Sequence, residues 1–323
     1  MNVRYLRRHR IDSARWDACV AGSVQRLFYA YSWYLDAVAP EWCGLVVEEQ
    51  GEYRAVMPVP LRRAYGIAYV RQPDFCPQLG IFSLPGVAVE ALFLPFLSKL
   101  KSRFGRVMSY RFNEHNETTV RFPSDLKRRV RENHVLPLNR PYQMLRQQFA
   151  TDRKTNLNRA RNTGWALAAS TDMRALIALH RSHNEAGATQ QYARLDLTLY
   201  DRLVRAVDEL QKRGMADLWF AELDGQREAG CLFVRDGGRI VYLFNGASPV
   251  GRRKQGRLWL LNRVFGEFAG QDAEFDFESP PEGAETVQAY YGSFGGETRP
   301  YSEVRWERGA WAVGRLLARL RRS

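Results

Sequence analysis

Apolar positions along the chain alternate between two periods, and the changes of period mark its elements. Val3–Leu6 reads as a short strand, and IDSARWDACVAG as a helix capped by Asp12 or Ser13. YSWYLDAVAP reads as a second helix, capped by Ser32 and stopped by Pro40. Strand-like runs follow in WCGLVVEEQ, YRAVMPVPLRR, IAYVRQP and QLGIFS, the first two joined by a hairpin turn within EEQGEY. Leu92, Leu94, Phe96, Leu97 and Leu100 space a helix over Val87–Leu100. Short strands are expected near Val107–Tyr110, Thr119–Phe122 and Arg129–Leu136.

The pattern changes at LPLNRPYQML. Tyr142–Phe149 and Asp152–Asn162 predict two helices, the second strongly basic and closed by Gly164. WALAAS is a strand, and Asp172–Gly187 and Leu199–Arg213 are helices. Leu199, Leu203, Val207 and Leu210 form one stripe of the latter. MADLWFAEL, AGCLFVRD and RIVYLFNGAS predict an antiparallel meander, with Ile240, Tyr242 and Phe244 on one face of its third strand. After the basic turn SPVGRRKQG, a helix carries Leu258, Leu261, Phe265 and Phe268. AEFDFES reads as a strand, AETVQAYYGSFGG as a helix, YSEVRWER as a strand and WAVGRLLARLRRS as a basic amphipathic helix.

A chain of 323 residues suits two domains, and the change of pattern divides them into 1–140 and 141–323. The 45% hydrophobic content is a globular value. A net charge of +13 draws polyanions such as tRNA, nucleotide-linked substrates, coenzyme A or anionic lipid heads. Arginine exceeds lysine throughout, so a compositional habit explains the charge equally well. Cys19, Cys43, Cys76 and Cys231 make no CxxC pair and read as buried reduced thiols. His180 and His183, with Glu185 nearby, lack a local third ligand, so no metal is expected. GxSxG, P-loop and dinucleotide fingerprints are missing. The N-terminus has no apolar leader core, and no run of about 18 apolar residues occurs. A cytoplasmic protein with no transmembrane segment is therefore expected.

Three stretches together point to a family: TDRKTNLNRARNTGWAL, GRRKQGRLWLLNRVF, and FDFES followed by YYGSFGGETRPY. With RQPDFCPQLGIF as a weaker echo, they resemble the FemAB-like branch of the GNAT superfamily. That branch includes the aminoacyltransferases that build peptidoglycan cross-bridges. The most specific part is Phe275, Asp276 and Phe277, then Tyr291, Phe294, Gly295, Gly296 and Tyr301. Two positions depart from the family pattern. Ser279-Pro280-Pro281 stands where a glycine usually follows the strand. Arg253, Gly256 and Leu258 occupy the R/Q-x-x-G-x-G/A spacing, with leucine in place of the last small residue, where it is expected to crowd a phosphate.

The resemblance implies an α/β (α+β) protein of tandem GNAT-like domains, each a mixed, largely antiparallel sheet flanked by helices. It implies an N-acyltransferase that moves an acyl or aminoacyl group from an activated thioester or ester to an amine. No tightly bound cofactor is expected; acyl-CoA, acyl carrier protein and aminoacyl-tRNA are the candidate donors. The acceptor is a small-molecule or cell-envelope-precursor amine. Family placement puts the site near the ends of RIVYLFNGAS and AEFDFES, where the sheet splays. Asp276 and Glu278, two apart on a strand, are candidate bases, and Tyr301 a candidate oxyanion donor. Lys154, Asn158 and Arg161 share a helix face suited to a phosphate or tRNA backbone. Asn245, Arg253, Lys254, Gly256, Tyr291 and Phe294 are candidate contacts for donor or acceptor, and Trp33, Gln72 and Gln78 for a substrate groove. Ion pairing, solvation and core packing account for each of these residues as an alternative. Two other functions stay open: a tRNA-like nucleic-acid-binding module, and a non-catalytic GNAT-fold protein acting at a membrane surface through Trp311–Arg322.

Overall fold

The computed structural model describes residues 2–64, 66–185, 197–280 and 283–309. The expected C-terminal helix Trp311–Arg322, the end of the helix expected to reach Gly187, and Pro281 lie outside the described residues. The chain divides into two compact units, Met1–Arg131 with the chain from Pro300, and Glu132–Arg299. The first unit is thus discontinuous in sequence, which a single cut between 140 and 141 does not capture.

The first unit runs β1 (Arg4–Arg7), α1 (Ser13–Ala21), α2 (Ser32–Val38), β2 (Glu41–Glu49), β3 (Glu52–Ala64), β4 (Ile67–Arg71), β5 (Phe82–Ser83), α3 (Val89–Arg103), β6 (Arg106–Arg111) and α4 (Glu114–Thr119). The β2–β3 hairpin turns at Gln50 and Gly51, both at positive φ, as the EEQGEY signal implies. Asp12 caps α1 by accepting from the Arg15 N–H at 3.1 Å. Tyr31, rather than Ser32, is the N-cap residue of α2. Ser32 turns to Asp17 instead, which accepts from its N–H at 2.6 Å and from its hydroxyl at 2.9 Å. In α3, Val89 and Phe93 join the buried stripe and Leu94 is exposed, because the helix runs on to Arg103 and sets its face accordingly. No strand forms at Thr119–Phe122. The Asn113 side chain accepts from the Asn116 N–H at 2.9 Å and starts α4 there, so the chain is helical up to Thr119.

The strand β7 (Arg128–Pro137) begins in the first unit and ends in the second. The second unit continues α5 (Tyr142–Gln148), α6 (Thr151–Arg161), β8 (Ala166–Ser170), α7 (Met173–Glu185), α8 (Leu197–Lys212), β9 (Ala216–Leu223), β10 (Gln226–Asp236), β11 (Arg239–Ala247), α9 (Pro249–Arg253), α10 (Gly256–Phe268), β12 (Glu274–Asp276) and α11 (Glu285–Gly292). The last strand, β13 (Glu297–Glu307), starts in the second unit and finishes in the first, antiparallel to β6.

Each unit repeats one plan. Strand order in the first is β1-β2-β3-β4-β6-β13, with β5 on β3; in the second it is β7-β12-β11-β10-β9-β8. Both build an antiparallel meander, then cross over through a helix to a parallel strand: β4–α3–β6 and β11–α10–β12. Those are tandem GNAT-like folds. The second unit's core gathers Phe149, Phe265, Phe275, Phe277 and Phe294, with ring centroids 4.9 Å apart for Phe265–Phe275 and 5.2 Å for Phe277–Phe294. Such edge and offset pairs favour one fixed packing over a loosely filled core.

One glycine sets a close approach. A Cβ on Gly246 of β11 would lie 2.6 Å from the backbone nitrogen of His180, so only glycine lets α7 seat there. Gly266 on the exposed side of α10 has open space around it. Gly246→Ala is therefore expected to cost about 2 kcal/mol, and Gly266→Ala to gain roughly 0.5–1 kcal/mol from helix propensity. Urea denaturation of both variants checks the pair.

Candidate active site

The parallel pair β11–β12 is short. It joins Arg239 to Glu274, Ile240 to Phe275 and Val241 to Asp276, and then β11 runs on alone to Ala247. From that point the β12-facing edge of β11 has no strand partner in the ladder. The register of β10 against β11 pairs Leu232 with Phe244 and Phe233 with Tyr242, leaving Leu243 as an extra residue on β11. This bulge takes the backbone at Leu243 out of its ladder beside the open edge.

What stops β12 is Asp276. Its carboxylate is 2% exposed. One oxygen, Oδ1, accepts from the Glu278 N–H at 2.7 Å and from Asn133 Nδ2 at 3.0 Å. The other lies 3.4 Å from Arg239 Nε. Accepting from its own second neighbour turns the chain, and Glu278 takes a left-handed φ of 63°. The strand therefore ends before Glu278, and the period-two pairing of the two carboxylates does not form. Asp276 is occupied as a structural hydrogen-bond acceptor. Asp276→Ala is expected to cost about 3 kcal/mol by orphaning buried donors and Arg239, and Asp276→Asn, which keeps the acceptor oxygen, clearly less. Denaturation midpoints of both variants check this.

Three elements converge on the end of β11. From α7, His180 donates its Nδ1–H to the Asn245 carbonyl oxygen at 3.0 Å. A carbonyl only accepts, so the proton sits on Nδ1 and Nε2 is the basic nitrogen. The imidazole rests on Phe244, 4.5 Å between centroids. Burial is the main influence on it and holds its pKa below the ordinary 6.5, with the positive charge of Arg257 acting the same way and the Asn245 bond opposing. From the first turn of α10, Arg257 Nη1 donates to Asn245 Oδ1 at 2.7 Å. From α11, Tyr290 and Tyr291 lie within electrostatic range of Arg257, as do Tyr242 of β11 and Cys231 of β10. Burial pushes the Cys231 thiol up to about 12, and its Sγ donates to the Tyr242 hydroxyl at 3.7 Å. It stays a thiol at neutral pH and is unsuited to nucleophilic attack.

The basic turn leads into this cluster. Ser248 caps α9 by accepting from the Gly251 N–H at 3.0 Å, and Arg252, Arg253 and Lys254 precede the N-terminus of α10. Gly256 is required by packing, since a Cβ there would lie 2.8 Å from the Ala229 Cβ. Leu258 points into the core and is 1% exposed. The expected crowding of a phosphate by Leu258 is thus removed: the side chain faces away from the turn.

The remaining sequence candidates have structural partners. Lys154 Nζ donates to the Gln147 carbonyl at 2.7 Å, Asn158 Oδ1 accepts from Arg146 at 2.8 Å, and Arg161 donates to the Tyr142 hydroxyl at 2.8 Å. All three partners lie on α5, so this face of α6 clamps α5. Phe294 is fully buried, and Tyr291 stacks on Phe277 at 5.0 Å. Tyr301 belongs to the first unit, where its buried hydroxyl accepts from Arg131 Nε at 3.2 Å. Trp33 stacks on Tyr31 at 5.3 Å. Gln72 accepts from the Arg111 N–H at 3.1 Å and donates to the Cys76 carbonyl at 2.7 Å, and Gln78 accepts from the Glu114 N–H at 3.0 Å. These glutamines pin residues 72–81 so that Leu79 bridges to Phe112 beyond the β4–β6 pair. The first unit thus closes the position that the second leaves open.

Of the residues that meet here, the sequence singled out Asn245 and Tyr291 as contacts, His180 only in connection with a metal and Tyr242 only as a strand face, and it did not single out Arg257. Gly246, directly after Asn245, was the available signal, because it permits the approach of α7. Among the described residues, no group of three metal-ligating side chains occurs, and no helix is long and apolar enough to cross a membrane.

Residues 147–286 match the family model described as an acetyltransferase (GNAT) domain. The fold is similar to that of FemX (TM-score 0.63, 12% identity, covering 94% of this chain and 97% of that one). It is also similar to the C-terminal domain of a putative lysylphosphatidylglycerol synthetase from Agrobacterium fabrum (TM-score 0.54, 12% identity, 95% and 94%). A tandem GNAT protein from the clavulanic acid biosynthesis pathway is a third such neighbour (TM-score 0.52, 12% identity, 95% and 99%). No curated protein matches the sequence. The matched residues lie within the second unit, Glu132–Arg299. Over the whole chain the likeness to these solved structures is one of fold, that of tandem GNAT-like domains.

Proposed function

We propose that the protein transfers an acyl group from a phosphopantetheine thioester, such as acyl-CoA or acyl carrier protein, directly to an amine, with His180 as general base. The observation that carries this reading is the convergence of His180, Asn245 and the Leu243 bulge on the open edge of β11. The thioester carbonyl would meet backbone N–H groups at the bulge, which replace water as oxyanion donors. The donor's phosphates would lie against Arg252, Arg253, Lys254 and the N-terminus of α10, where free N–H groups and positive charge meet an anion. The incoming ammonium must lose a proton before it can attack. His180 Nε2 takes it, and the amine nitrogen then attacks the carbonyl carbon. Collapse of the tetrahedral species breaks the carbon–sulfur bond, and the proton still to leave the new amide nitrogen passes to the departing sulfur, releasing the thiol, while the imidazolium returns its proton to solvent. The transfer is direct, since the nearby Cys231 is held as a thiol.

His180→Asn preserves a donor for the Asn245 carbonyl and removes the base. It is expected to keep the wild-type melting temperature and to lower kcat about 100-fold. Burial depresses the His180 pKa, so the neutral, active imidazole persists below its ordinary 6.5 as pH falls. The acid limb of kcat/KM should lie below that value in wild type and vanish in the variant. An unchanged profile in His180→Asn would overturn the assignment.

A further inference from the structure

We propose that Arg257 binds a carboxylate carried by the amine substrate, so that the acceptor is an amino-acid-like molecule with its carboxylate close to its amine. This inference rests on the acyltransferase reading and names its acceptor class.

Arg257 is half-buried, and its hydrogen bond goes to a neutral amide oxygen, Asn245 Oδ1, at 2.7 Å. Its electrostatic neighbours are Tyr242, Tyr290, Tyr291 and Cys231, all uncharged at neutral pH. Among the described residues no carboxylate forms an ion pair with it. Elsewhere in the second unit the enclosed guanidinium of Arg239 meets Glu274 at 2.7 Å and Asp276 at 3.4 Å. A cation removed from water without a counter-ion is costly, and proteins accept that arrangement where a ligand supplies the charge. A guanidinium offers five donors in a planar fork, of which Asn245 takes one direction and leaves a face shaped for a carboxylate.

The position of that face decides which substrate group it meets. Asn245 holds Arg257 through its side-chain oxygen and His180 through its main-chain oxygen. Guanidinium and base are therefore separated by the width of one asparagine. An amine placed for deprotonation by His180 has its near substituents beside Arg257. A carboxylate one or two carbons from the nitrogen fits that spacing, and bidentate pairing with Arg257 would fix the direction from which the nitrogen attacks. The anionic part of the donor has its own cations in Arg252, Arg253 and Lys254.

The test pairs acids with their amides. Acetyl transfer is measured to glycine, β-alanine and alanine and to the corresponding amino amides, for wild type, Arg257→Met and Arg257→Lys. Because turnover depends on the correct acyl group, calorimetric binding of N-acetylglycine and N-acetylglycinamide is measured alongside. The expected result is that wild type favours the acid over the amide by about 10–100-fold, the worth of one charge-assisted pair. Arg257→Met should collapse that ratio towards one by raising KM for the acid, and Arg257→Lys should restore part of it. Equal use or equal binding of acid and amide by wild type, or binding of neither, overturns the proposal. So does an Arg257→Met variant that raises KM for acetyl-CoA and leaves acid–amide selectivity intact, which would assign the guanidinium to a donor phosphate. A roughly 100-fold lower kcat in His180→Asn with selective binding preserved separates the two readings. Retained transfer there would remove the base and leave the carboxylate site standing.

Discussion

A single buried carboxylate determines where β12 leaves β11 in the second unit. Asp276 accepts from the backbone two residues ahead and from Asn133, with Arg239 beside it, and so ends β12 after three paired residues. Had the strand continued, β12 would cover β11 to its end. Burial of an acceptor with satisfied partners is what makes this termination stable. The same burial would be destabilising for a carboxylate whose partners were removed. The phenylalanines on either side, Phe275 and Phe277, anchor the turn in the aromatic core, so the F-D-F pattern combines two anchors with one terminator.

Everything else in the site depends on that opening. The bulge at Leu243 lies just past the last paired residue, and Asn245 lies two residues further on. Gly246 then admits α7, which brings His180 to the carbonyl of Asn245. The crossover helix α10 begins with Gly256 packed on Ala229, which points Leu258 into the core and Arg257 towards Asn245. In the first unit the corresponding place is filled by residues 72–81, held by Gln72 and Gln78. One plan is thus used twice, with the parallel pairing extended by the Leu79–Phe112 bridge in the first unit and ended at Asp276 in the second.

Much of the fold was legible in the sequence because it is written in periodicity. The meander β9–β10–β11, the stripe of α8 and the hairpin at Gln50-Gly51 follow from apolar spacing and turn residues alone. The errors arose where side chains bond to backbone. Ser32 looks like a cap but is claimed by Asp17, and Asn113 starts a helix where the apolar pattern suggested a strand. The site was less legible, since its members come from α7, β11, α10 and α11 and meet only after folding. Lys154, Asn158 and Arg161 do share a face, but that face meets α5. A basic residue's spacing says nothing about which neighbour will claim its charge. The return of β13 to the first unit has no local signature either, because it is a long-range pairing with β6.

A donor bound beside β11 of the second unit, as proposed, would shield the amides there from solvent. Amide hydrogen exchange followed by mass spectrometry, with and without saturating acetyl-CoA, tests it most directly. The expected result is slowed exchange in peptides covering 242–247 and 252–258, with little change in residues 66–83 of the first unit. Protection confined to the first unit, or none at 242–258, would contradict it.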